Sequence, residues 1–318
     1  MAESTISVRP FADTDLAQVL DVLRASLGET SLLQRTPELF AWKHLSSPFG
    51  RSIILVAEAD DRIVGLRAFM RWELLTPSGD TLRCVRAVDT ATHPDYQRRG
   101  IFRTLTMAAV EEARTDGVNL IFNTPNPKSG AGYLRMGWRP VGDIGVLAVP
   151  TRGMLRGRVA GDELPPPDDF ITDPAPVGDL SVDDRPALGM RTPRTDAYVR
   201  WRFTEHPTAR YVRVDGDGAT AIVRPNVRGG RRELVISDVF GPRPARAIGR
   251  TIARSRAAYV GGWFSKGSPE RTAAIRRGMV AVPRMTALTL VANPLTDMPS
   301  DVGSLAAWDI ASSDLELL

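Results

Sequence analysis

The stretch from Val88 to Phe102, reading V-D-T-A-T-H-P-D-Y-Q-R-R-G-I-F, constrains the fold more than any other. An apolar strand runs into His93-Pro94 and a short polar turn. Gln97-Arg98-Arg99-Gly100 then opens a helix whose Ile101, Leu105, Ala108 and Ala109 recur at helical spacing. A strand, a glycine-bearing turn and a helix start together make an anion site. The first-turn N–H groups of a helix have no partners within it and point outward. The macrodipole adds about half a positive charge there, and glycine lets a phosphate approach the backbone. Two arginines on the same turn add charge. A pyrophosphate-bearing ligand suits such a turn, but so does an ordinary helix N-terminus, and these residues alone leave both readings open.

The surroundings narrow the choice. An amphipathic helix and three strands precede the turn. After it come a helix, a strand and Asn126-Pro-Lys-Ser-Gly-Ala-Gly-Tyr133-Leu-Arg-Met-Gly137-Trp138. Q-R-R-G-I-F followed by N-x-x-S-x-x-x-Y-x-x-x-G-W resembles the acetyl-CoA-binding core of the GNAT N-acetyltransferase superfamily, over roughly residues 5–150. The resemblance implies a mixed α/β sheet that holds acetyl-CoA as co-substrate.

Composition excludes several other classes. The chain has 318 residues, 43% of them hydrophobic, enough for two buried cores. Cys84 is the only cysteine, so neither an intrachain disulfide nor a cysteine-built zinc site is available, and no histidine or carboxylate cluster has metal-ligand spacing. No run approaches the ~18 apolar residues of a membrane span, and no leader pattern opens the chain. The expectation is a cytoplasmic protein without membrane contact. The 41 basic residues include only three lysines, but the net charge is just +4 and acidic residues are interspersed. A nucleic-acid binder concentrates basic charge on one face, so nucleic acid is not an expected partner.

Along the chain, Ile6–Arg9 reads as a strand and Leu16, Val19, Leu20 and Leu23 share one helix face. Thr36-Pro37-Glu38 starts a second helix. Strands follow at Ile53–Ala59, Ile63–Leu75 and Leu82–Thr90, and Val118–Phe122 reads as a strand inside a sheet. Gly145–Pro150 is expected to close this first unit, giving a catalytic domain over 1–150. Proline-rich segments place a linker or crossover at 151–190.

Residues 191–318 then read as a second copy. Trp42, Lys43, Pro48 and Arg51 recur as Trp201, Arg202, Pro207 and Arg210 at identical offsets, and Asp238 and Gly249 stand at the spacing of Asp89 and Gly100. Pro242 and Pro244 interrupt the second turn, and no Asn–Ser–Tyr stretch follows. The expected architecture is therefore two GNAT-like mixed-sheet α/β domains in tandem, the second degenerate.

The resemblance also implies roles. Gln97, Arg98, Arg99, Gly100, Ile101 and Phe102 match the pyrophosphate-binding turn, with Phe102 where the family usually has Gly or Ala. An amide near Thr92 is expected to contact the acetyl carbonyl as an oxyanion-type donor. Asn126 and Tyr133 match by spacing, and Tyr133 is the expected general acid. Asp89 is the expected base, with a water relay or the terminal carboxylate of Leu318 as alternatives; the latter acts in the enhanced-intracellular-survival family. His93, His44 and His206 read as structural residues, and Cys84 as a poor nucleophile. The expected activity is acetyl transfer from acetyl-CoA to a primary amine by direct attack, on a small molecule such as an amino sugar. The alternatives are a non-catalytic acyl-CoA-binding protein and, less favoured by the interspersed charge, an arginine-rich nucleic-acid-binding protein.

Overall fold

The computed structural model describes residues 5–29, 34–156, 158–159, 163–180, 188–282, 288–298 and 301–315. The first part of the chain runs β1 (Ser7–Pro10), α1 (Leu16–Leu27), α2 (Pro37–His44), β2 (Ile53–Ala59), β3 (Arg62–Leu75) and β4 (Thr81–Thr92). It continues through α3 (Ile101–Thr115), β5 (Leu120–Asn123), α4 (Pro127–Arg135), β6 (Arg139–Ile144) and β7 (Leu147–Pro150). Local chemistry sets many of the boundaries. The Thr36 hydroxyl accepts from Leu39 N–H and Pro37 occupies the first turn of α2. Asp60 and Asp61 both adopt positive φ, which suits the tight turn between β2 and β3.

The remainder comprises α5 (Asp196–Val199), continued by a π-helical stretch Arg200–Thr204, then β8 (Val212–Gly216), β9 (Ala219–Arg228) and β10 (Arg231–Phe240). After them come α6 (Pro244–Arg254), β11 (Tyr259–Gly262), α7 (Pro269–Arg276), β12 (Val280–Ala281), β13 (Leu288–Pro294) and α8 (Ser312–Leu315).

Two separate mixed sheets result, as the tandem reading expects. Among the described residues, the first has seven strands in the order β1-β2-β3-β4-β5-β13-β6, and the second has six in the order β12-β7-β11-β10-β9-β8. One expectation is corrected. Leu147–Pro150 does not close the first sheet; it pairs antiparallel with β11 in the second. The place beside β5 is taken by β13, with Val291 opposite Asn123 and Pro294 opposite Leu120. The compact units are accordingly discontinuous in sequence: 1–74, 81–141 and 290–303 form one, and 75–80, 142–289 and 304–318 the other. Short apolar strands say that they belong inside a sheet but not inside which one.

In the first unit, α3 and α4 cover one face of the sheet, where Ile101, Leu105, Ala109 and Tyr133 pack with Phe69, Val85 and Ile121. Helix α1 covers the other, with Val19, Leu20 and Leu23 against Val56, Leu66 and Ala68. Helix α3 approaches β3 closely at Gly65, where a Cβ would lie 2.8 Å from the Ile101 side chain. That close approach holds the N-terminus of α3 near the end of β4.

Candidate active site

The turn before α3 has the geometry its sequence suggests. Gln97, Arg98, Arg99 and Gly100 are exposed. Arg98 adopts φ +64° and Gly100 φ +80°, the latter capping α3 from the left-handed region. Among the described residues, the N–H groups of Arg98 to Phe102 donate to no protein acceptor. Left-handed residues alternating with right-handed ones turn successive N–H groups into an anion-binding nest. The helix dipole adds to it. The Arg99 guanidinium stacks over Tyr96 at 4.8 Å, and Gln97 donates weakly to Thr92 O at 3.4 Å.

Strands β4 and β5 then part. They pair in parallel from Cys84–Leu120 to Arg86–Phe122, after which β4 continues to Thr92 while β5 ends at Asn123. His93 N–H donates across to Val64 O on β3 at 2.8 Å. Alternation along the strand turns the Thr92 N–H to the opposite edge, beyond the end of β5. A donor on that edge faces the place where an extended ligand would lie between the strands.

Tyr133 is joined to this end of β4 through Arg67, whose Nη1 donates both to the Tyr133 hydroxyl and to Thr90 Oγ1. It is 3% exposed and packs edge-on against Trp138 at 5.1 Å and Phe102 at 5.6 Å. Its hydroxyl oxygen accepts from Nη1 of Arg67 at 2.7 Å. The unusual Phe102 is accommodated by α4 itself. A Cβ on Gly132 would sit 2.7 Å from the Phe102 ring, so that glycine makes the room. Asn126 caps α4, its Oδ1 accepting from Lys128 N–H and Ser129 N–H at 3.0 Å each. That oxygen is engaged in holding the helix that carries Tyr133.

Asp89 is drawn into a different arrangement from the one its position suggests. It sits in the left-handed region at φ +41°, which aspartate tolerates. Its Oδ2 lies 2.9 Å from both Lys43 Nζ and His44 Nε2, and Arg35 Nη1 stands 3.7 Å from Oδ1. Burial pushes the carboxyl up, but the Lys43 ammonium and the His44 hydrogen bond outweigh it. They hold Asp89 well below the usual carboxylate range. A carboxylate stabilised in this way has little affinity for a proton, so its chemistry fits anchoring α2 to β4 rather than accepting a proton from an amine. Burial also pushes His44 below the usual imidazole range, despite the opposing pull of Asp89. The neutral ring donates from Nε2 to Asp89 while Nδ1 accepts from Ser52, 3.0 Å away. His93 caps the turn after β4, its ring nitrogen 3.4 Å from Asp95 N–H. Cys84 is buried in β4 with its thiol pushed far up, chiefly by burial. Leu318 lies outside the described residues.

The turn of the second unit is built differently. Gly249 falls inside α6, and that helix starts at Pro244 behind Arg243 at φ −121°, with Gly241 at φ +94° two residues earlier and no left-handed residue directly at the cap. Strands β10 and β11 pair in parallel as far as Ile236–Gly262. Past that point the chain's own C-terminal segment bonds to both. Ser312 Oγ accepts from Trp263 N–H at 2.7 Å, Ile310 N–H donates to Ser265 Oγ at 2.8 Å, and Ser313 donates to Asp238 at 2.7 Å. Arg194 bridges Asp238 and Asp314 at 2.8 and 2.9 Å. Burial pushes Asp238 up in spite of Arg194. In Asp314, Arg194 outweighs burial and holds the carboxyl down.

Three residues of the first unit escaped the sequence. Lys43 stands out there only as a member of the repeat and His44 only as a structural residue, and Arg67 does not stand out. The only signal for Arg67 was a single arginine within the apolar run Ile63–Met70. Among the described residues, no group of acidic, histidine or cysteine side chains is placed to hold a metal, and no helix is long and apolar enough to cross a membrane.

Residues 7–141 match the acetyltransferase (GNAT) domain family. No curated protein matches the sequence. Among solved structures, a GCN5-related N-acetyltransferase from Anabaena variabilis is similar with a TM-score of 0.63 at 12% identity, over 92% of this chain and 73% of that one. Eis1 from Mycobacterium abscessus gives 0.59 at 14%, over 91% and 73%. A putative acetyltransferase from Pyrococcus horikoshii gives 0.55 at 13%, over 100% and 96%. At these identities the likeness is one of fold, and it extends over both sheets.

Proposed function

We propose, from the premise that residues 7–141 are a GNAT acetyltransferase domain, that the protein is an N-acetyltransferase. It moves an acetyl group from acetyl-CoA to a primary amine on a small molecule such as an amino sugar. The observation that carries this reading is the nest at Arg98–Phe102, whose N–H groups donate to no protein acceptor among the described residues, set just past the end of β4, to which Arg67 joins the Tyr133 hydroxyl through Thr90. Backbone N–H groups suit a pyrophosphate at the nest and a carbonyl oxygen at Thr92.

Acetyl-CoA supplies the activated acyl group. The nest of Arg98–Phe102 holds its pyrophosphate end, and Arg98 and Arg99 add charge. The Thr92 amide polarises the carbonyl as the amine attacks. Tyr133 donates its proton to the departing sulfur, the role of general acid. The ammonium is deprotonated through water, because Asp89 is committed to Lys43 and His44. The second unit, with its own C-terminal segment seated past the end of β10 and β11, binds no second acetyl-CoA.

The test is thiol release from acetyl-CoA across a panel of amino sugars, aminoglycosides and small primary amines. Turnover with at least one amine, reduced about 10²–10⁴-fold in Tyr133→Phe at little change in acetyl-CoA affinity, is the expected result. Binding of acetyl-CoA without turnover on any amine marks a non-catalytic acyl-CoA-binding protein instead.

A further inference from the structure

We propose that Arg67 is a positioning residue for the proton transfer, aiming the Tyr133 hydroxyl at the departing sulfur. The inference rests on the acid role of Tyr133 proposed above. Arg67 lies in the middle of β3 and is 0% exposed. Its Nη1 donates both to Tyr133 Oη, at 2.7 Å, and to Thr90 Oγ1 on β4. Its Nε and Nη2 are buried and have no partner. Among the described residues no carboxylate pairs with it, and its neighbours are aromatic: Phe69 at 4.7 Å, Tyr133 at 5.1 Å and Phe102 at 6.0 Å from the guanidinium carbon.

Stability does not account for this placement. A buried cation without a counter-ion, with two unpartnered N–H groups, is costly, and stacking on aromatic rings offsets only part of that. An apolar side chain of similar length would fill the same space at lower cost. What the arginine does provide is direction. A guanidinium has donors and no acceptor, so Tyr133 cannot give its proton to Arg67. With one lone pair taken by Nη1, the hydroxyl proton must point away, and the gap between β4 and β5 is where an acceptor can stand.

The step balances without another reactant. The amine nitrogen forms the new C–N bond and the C–S bond breaks. The Tyr133 proton passes to sulfur, and the oxygen left behind is held by the Arg67 hydrogen bond, which becomes charge-assisted. The proton lost from the amine returns to Tyr133 through water, leaving amide and thiol as products.

The experiment is a double-mutant cycle on kcat, with acetyl-CoA and the best acceptor of the panel, and acetyl-CoA affinity measured in parallel. Arg67→Met is expected to lower kcat by about 10²-fold with acetyl-CoA affinity unchanged, and Arg67→Lys to recover part of that loss. In a Tyr133→Phe background, Arg67→Met is expected to cost no further activity, because both substitutions remove the same event. If Tyr133→Phe keeps full activity, the acid reading itself falls. If Tyr133→Phe is impaired but the two losses multiply, or Arg67→Met or Arg67→Lys keeps wild-type kcat, the positioning role is overturned. Should Arg67→Met fail to fold, the same cycle is run with Arg67→Lys.

Discussion

The Lys43 ammonium lies 2.9 Å from the Asp89 carboxylate, at the residue where β4 passes through the left-handed region. The pair is buried apart from a small part of the carboxylate, and His44 shares the same oxygen. Truncating Asp89 leaves a buried ammonium uncompensated. Asp89→Ala is therefore expected to lose about 3–5 kcal/mol of unfolding free energy, measured by urea titration. A residue acting only as a catalytic base would lose turnover while the unfolding midpoint stayed in place, and that pattern would return Asp89 to the mechanism.

The same cluster makes stability depend on pH in a definite direction. His44 is held below its ordinary value in the folded chain, so between that depressed value and about 6.5 the unfolded chain binds more protons. Stability is fully present above about 6.5 and falls as pH drops. Asp89, also depressed, adds a second loss below the ordinary carboxylate value near 3.9. Urea midpoints should decline from pH 7.5 to 5.5, and His44→Gln should be less stable at pH 7.5 but flatter across that range. An equal slope in the variant would show that His44 is not the group responsible.

Gly100 separates backbone conformation from bulk. A Cβ there meets nothing within 4 Å, so Gly100→Ala pays only the strain of φ +80°, about 1–2 kcal/mol. Gly100→Asp adds a negative charge in the mouth of the nest. Calorimetry should find Gly100→Ala binding acetyl-CoA within about tenfold of wild type and Gly100→Asp showing no binding. Equal affinities in all three would remove the turn from the binding site.

Phe102 and Gly132 form a matched pair. The Cβ of Gly132→Ala would stand 2.7 Å from the Phe102 ring, which must then shift against Tyr133. The single variant should be destabilised by about 1–3 kcal/mol, and Phe102→Ala should relieve most of that cost in the double variant. Additive losses would mean that the two residues do not share the space.

Much of the first unit could be read from its residues because its signals are local. The nest depends on five consecutive residues, one of them a glycine, and the cap of α4 on Asn126 and the two residues bonded to it. What escaped is long-range. Asp89 meets its partners 45 and 46 residues away, only once α2 has docked on β4. Arg67 meets Tyr133 across 66 residues, and an arginine in a strand is ordinarily a solvent-facing residue. The exchange of β7 and β13 between sheets escaped for a related reason. Each is four to seven residues long and carries no turn or charge that names its neighbour.

The most direct measurement is a calorimetric titration of acetyl-CoA into the purified protein. The arrangement predicts one site per chain, supplied by the nest at Arg98–Phe102 and lost in Gly100→Asp. Absence of binding to folded wild-type protein, or two sites per chain, would contradict the assignment of a single acetyl-CoA cleft to the first unit.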